Sequence, residues 1–230
     1  MKEFIAKLKQ ILHLDRKPSR KIRRKTRAQS MVEFALLLPI LLTLFIGMVE
    51  FGFMINTYLS LTDATRQAAR EYSNSQPFIS LSPNVDNMNF YTDCAQVVID
   101  TLAPPDDPLA RQIVMDWTMD DILVSVISVD VDTATDPDTI STITRYPSGE
   151  TNFSVYQNFP VSPYDDVAIE TYMTANGTIP VPAGLLIVEV YYSYESTLGI
   201  TTPFIKAFAP GGHVMLYAST IMPLVAVRPH

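Results

Sequence analysis

RAQSMVEFALLLPILLTLFIGMVEFGFMINTYLSLTDATRQAAREY, residues Arg27–Tyr72, is the stretch from which the rest of the chain is read. From Phe34 to Ile55 run 22 residues in which Glu50 is the only charged one. A helix of that length, rising about 1.5 Å per residue, crosses a hydrocarbon core of about 30 Å. Beyond it Tyr58, Leu61, Ala64 or Thr65, Ala68 and Tyr72 recur at spacings of three and four, with Arg66, Arg70 and Glu71 off that stripe. The pattern predicts one long helix, a membrane span that continues as an amphipathic stalk whose stripe faces the chain's own domain. Asn74 and Gln76-Pro77 end it. Pro39 removes one backbone hydrogen bond and is expected to kink the helix, which membrane helices tolerate. Gly47 and Gly52 lack the spacing of a glycine-mediated helix pair.

Charge orients this span. Of 17 Lys and Arg, eleven lie in residues 1–27 against two acids, and the other six stand against 22 acids in residues 28–230. Basic charge on one flank only predicts a cytoplasmic N-terminus and an exported C-terminal domain. The expected organisation is a basic cytoplasmic leader or head (1–28), a span and stalk (29–72), and an exported domain (73–230) long enough for a core of its own. In Met1–Leu14, Phe4, Ile5, Leu8, Ile11 and Leu12 take helical spacing between lysines, which suits either a helix lying along the inner membrane face or a frayed tail. Arg16–Arg27 is almost wholly cationic and is expected to be extended. A secretory signal fits poorly, because the apolar run is too long and no small-x-small cleavage site follows. Nucleic acid is not an expected partner, since cations beside a span are accounted for by lipid headgroups. Cys94 is the sole cysteine, so an intrachain disulfide is excluded; an intermolecular bridge or a buried thiol remains, and the buried thiol is expected.

The run from Ala28 to Tyr72 resembles the TadE-like proteins, minor pilins or pseudopilins of the bacterial tight-adherence pilus machinery. The residues that carry the resemblance are Val32-Glu33-Phe34, the apolar run through Pro39, Val49-Glu50-Phe51-Gly52 and the stalk LSLTDATRQAAR, with a fainter echo in Val188–Tyr194. It implies a single-pass protein of the bacterial inner membrane whose partners are other pilins, the pilus machinery, a prepilin peptidase and the lipid bilayer. It also implies cutting between Ala28 and Gln29, which makes Glu33 the fifth residue of the mature chain. Ala28 stands where such peptidases usually find glycine. Glu33 lies at the margin of the apolar run and has two readings: a partner for the N-terminal amine of a neighbouring subunit, or a carboxylate favoured by a helix start. Glu50 lies deeper, and is expected either to snorkel to the outer surface or to meet a partner in another protein of the assembly.

The exported part reads as α+β and mainly antiparallel. Phe78–Phe90 reads as a loop, Tyr91–Ala103 as a helix capped by Thr92 or Asp93, and Asp121–Val131, Thr139–Arg145, Leu185–Glu195 and Val214–Val227 as strands. In Leu185–Glu195, Leu186, Val188, Val190, Tyr192 and Tyr194 form the core face, with Glu189, Ser193 and Glu195 opposite. Chemistry is sparse. His13, His213 and His230 have no ligand cluster around them, and no nucleophile elbow or phosphate loop occurs, so neither enzyme, cofactor, metal nor small-molecule substrate is expected. Asp130, Asp132, Asp136 and Asp138 resemble a calcium loop only in their first two acids; Ala134, Thr135 and Ser141 break the pattern, and a solvated acidic loop fits better. The leading expectation is a structural pilin-like subunit. The alternative is a bitopic anchored protein whose extracytoplasmic β domain recognises a ligand.

Overall fold

The computed structural model describes residues 22–81, 84–107, 109–131, 140–159, 161–175, 183–197 and 212–225. The chain divides into two compact units, Met1–Val49 and Glu50–His230, and one helix, α1 (Ile22–Tyr72), contributes to both. That helix reaches back to Ile22, so Ile22–Arg27, expected to be extended, are helical. Lys, Arg, Ala and Gln are good helix formers, and no breaker stands between Ile22 and Pro39. The rest of the basic head lies outside the described residues.

From Phe34 to Val49, in the first unit, α1 is apolar on all sides, with Phe34 59%, Leu36 70% and Met48 73% exposed. A helix of that kind has no stripe to bury against protein and is suited to lipid. Among the described residues it is the one helix long and apolar enough to cross a membrane.

The second unit follows the end of α1 with a hairpin, β1 (Phe78–Leu81) and β2 (Asn84–Asp86), then α2 (Met88–Leu102), β3 (Asp121–Val131), β4 (Ile140–Tyr146), β5 (Phe153–Ser154), α3 (Asp166–Met173), β6 (Ala183–Glu195) and β7 (His213–Pro223). The main sheet runs β4-β3-β6-β7, every pair antiparallel, with short β5 sharing the β3 edge with β4. Strand pairing sets Ile122 opposite Val190 and Val124 opposite Val188 on one face. Those residues form a single core with Leu61, Ala64, Ala68 and Ala69 of α1 and with Tyr91, Cys94 and Val98 of α2. The small α1 residues let helix and sheet approach closely, and Thr65 Oγ1 meets Thr220 Oγ1 of β7 at 2.9 Å. The sheet thus packs on the C-terminal part of the helix.

Four details differ from expectation. Phe78–Phe90 holds a hairpin rather than only a loop: Phe78 is buried edge-on against Tyr146 of β4, with ring centroids 4.7 Å apart, which anchors the two paired short strands to the main sheet. The helix read as starting at Tyr91 starts at Met88, and Thr92 is no cap; it lies inside the helix and donates its hydroxyl to the Met88 carbonyl at 3.1 Å. The stalk stripe is Thr57, Leu61, Ala64, Thr65, Ala68 and Ala69, while Tyr58 is 44% exposed. Finally, the back of the sheet is also core. Leu185, Ile187, Ile127 and Val129 are buried there beneath Ile169 of α3, which Asp165 caps by accepting from the Ala168 N–H at 2.8 Å. Glu189, read as facing away from the core, is therefore fully buried. Cys94 is buried, as expected. Asp132, Asp136 and Asp138 lie outside the described residues, and so does most of the Pro210-Gly211-Gly212 turn.

Candidate anchoring and assembly site

At the start of the apolar run, Gln29 and Glu33 stand one turn apart on exposed helix, and Gln29 Nε2 donates to Glu33 Oε1 at 3.1 Å. Both are available to other molecules, as is Phe34. The Ala28–Gln29 bond falls within the helix. Pro39 is also helical; its missing N–H leaves the Ala35 carbonyl without its i+4 donor, and one turn on its own carbonyl accepts the Thr43 hydroxyl at 2.8 Å.

Glu50 has a different setting. Its side chain is 5% exposed. Its Oε1 accepts from the Tyr194 hydroxyl at 2.7 Å and from the Thr197 backbone N–H at 2.9 Å. The sequence left snorkelling or a foreign partner as its outcomes; the structure supplies partners from the end of β6 in the same chain. Thirteen residues of β6 carry its C-terminal end to the helix turn where Glu50 lies, and the even-numbered face that holds Val188 and Val190 also aims Tyr194 at α1. A carboxylate held by two donors is charge-assisted hydrogen bonding, the stronger class. Burial, and next the bond to Glu50, raises the Tyr194 hydroxyl pKa, so it stays a donor. Neighbouring Phe51 is 56% exposed, and a Cβ added at Gly52 would meet open space, so both face away from the domain's packing.

Beside this lock opens a cleft of 380 Å³, lined by Thr57, Arg111, Asp116, Asp120, Tyr192 and Thr197 among others. Arg111 donates to the Thr57 hydroxyl at 2.6 Å. Asp120 is buried, and its carboxylate accepts the Asp116 N–H at 2.7 Å and the Ser193 N–H at 2.6 Å; burial raises its pKa despite those two bonds. Asp121, fully buried, accepts from Ser154 Oγ and from the Tyr156 and Phe159 N–H groups, pinning a turn in which Gln157 takes a positive φ of 62°. Sequence reasoning passed over Arg111, Asp120 and Asp121. The available signal was a pair of adjacent acids at the head of an otherwise apolar strand. Among the described residues no three His, Cys, Asp or Glu group as a metal site would.

The fold defines an α+β protein whose long N-terminal helix is apolar and long enough to cross a membrane and continues as the packed spine of an antiparallel domain. Residues 28–70 match the family model for TadE-like protein, the family that the sequence resembles, and that family is associated with the tight-adherence pilus. The match takes in Glu33, Pro39, Glu50 and the stalk and stops before the sheet. No curated protein and no solved structure matches the chain.

Proposed function

We propose that this chain is a minor pilin-like subunit of a tight-adherence pilus or secretion machinery, structural rather than enzymatic in role. The observation that carries the reading is the family match across residues 28–70, which covers Glu33 and the whole apolar run. In this reading the basic head lies in the cytoplasm, the helix crosses the inner membrane and the sheet domain is exported. A prepilin peptidase cuts between Ala28 and Gln29. The new amine of one subunit then meets Glu33 of another within the bilayer, where each charge needs the other.

The test is Glu33→Gln, which keeps size and hydrogen bonding to Gln29 but removes the charge. Losing one member of a buried pair costs about 3–5 kcal/mol, which lowers an association constant more than about a hundredfold. A carboxylate that only serves a helix start contributes about 0.3–1 kcal/mol. The variant is expected to insert and be cut as wild type does, yet to lose crosslinks to pilus-machinery partners. Wild-type crosslinking and fibre counts would refute the pairing.

A further inference from the structure

Between α2 and β3 the chain holds three large apolar side chains in the open: Leu109 at 97%, Val114 at 71% and Trp117 at 73% exposure. They are not loosely placed. The Asp107 carboxylate accepts the Leu109 and Ala110 N–H groups, and Gln112 Nε2 donates to the carbonyls of Asp107 and Ala110, so the tip is internally tied. Ile113 is buried, its N–H on the Leu102 carbonyl at 2.8 Å. The Trp117 carbonyl accepts Asn158 Nδ2 at 3.0 Å. Each fixed bond presents an apolar group to the surroundings, and in water that exposure is unfavourable.

The position of this segment indicates what covers it. Arg111 at its centre reaches Thr57, two residues past Ile55, the last residue of the apolar run. Phe51 and Ile55, on the same unit's helix, are 56% and 42% exposed, so the end of the apolar run is itself left uncovered by the domain. We propose that residues 109–117 are a membrane-interface foot: Leu109, Val114 and Trp117 enter the headgroup zone of the adjoining leaflet while Arg111 stays at its polar level. Trp favours that zone because its ring is apolar with one polar N–H, and Arg spans it with an apolar stem and a charged end. Asp106, Asp107 and Asp116 outnumber Arg111 here, so the foot suits zwitterionic rather than anionic headgroups. The proposal rests on the apolar run crossing a bilayer and not on membership of a pilus.

Trp117 is the only tryptophan, which makes the full chain its own reporter. In phosphatidylcholine nanodiscs its emission should be quenched by lipids brominated on shallow acyl carbons and shielded from aqueous iodide. The double variant Leu109→Asp, Val114→Asp, which alters exposed positions only, should lose bromolipid quenching and gain iodide quenching. Full iodide access with no bromolipid effect in the wild type would overturn the proposal. So would iodide shielding that grows with the number of chains per disc without bromolipid quenching, since that assigns the patch to a second copy. Extraction of the chain from membranes by alkaline carbonate would overturn the foot and the anchor together.

Discussion

Removing the Tyr194 hydroxyl tests whether Glu50 locks the domain onto its helix. Tyr194→Phe leaves the ring, 5% exposed, in place in the main core, so the change in packing is small. What is lost is the donor at 2.7 Å from Glu50 Oε1, together with the contact of that hydroxyl with Thr197 Oγ1 at 3.1 Å. A hydrogen bond to a charged group contributes about 1.5–3 kcal/mol. The Thr197 N–H stays on the same oxygen, so a loss of about 2 kcal/mol is expected. For a domain of this size that lowers Tm by about 4–8 °C. The assay is thermal unfolding of the full chain in nanodiscs, followed by near-UV circular dichroism, with Tyr172→Phe on the half-exposed face of α3 as control. A shift under about 1 °C for Tyr194→Phe would refute the lock, and an equal shift in the control would show the assay blind to it.

Two further outcomes follow from buried groups. Glu189 is fully buried, with the Tyr217 hydroxyl on Oε1 at 2.8 Å; burial raises its pKa, opposed by Ser162, Tyr217 and the charge of Arg145. Its folded value therefore stands above the unfolded one, and in the window between them the native state holds a proton that the unfolded chain has released, so stability falls as pH rises through that window. Glu189→Gln removes this slope: its stability relative to wild type, from urea melts, should grow as pH rises past the ordinary glutamate range and level off above the window, and a constant difference would contradict it. Cys94 is fully buried, and burial pushes its thiol up to about 12. Maleimide should leave native protein unlabelled at neutral pH and react only on unfolding; rapid labelling of folded protein would refute its burial.

The main strands were legible because their local pattern is strong. Asp121–Val131 is a β-branched run bounded by acids, and the reading matched both of its ends. The apolar run and its stalk were legible for the same reason, since a 3.6-residue period needs no knowledge of the partner surface. What escaped depends on distance in sequence. The α3 helix has eight residues and only Ile169 fully buried, too little periodicity to detect, and without it the back of the sheet reads as solvent-facing. Glu189 was misplaced as a direct result. The partner of Glu50 lies 144 residues along the chain, and nothing near Glu50 announces it. Arg111 sits in a segment without regular structure, where only the fold brings it to Thr57. The exposed Leu109, Val114 and Trp117 look in sequence like any other apolar residues awaiting a core.

The central claim is that Ala28 ends a leader and Gln29 begins a pilin-like subunit. N-terminal sequencing of the membrane-extracted protein, from cells with an active prepilin peptidase, measures it directly. The account predicts Gln-Ser-Met-Val-Glu, with Glu33 fifth, and a mature chain that still carries the basic residues before Gln29 would contradict it.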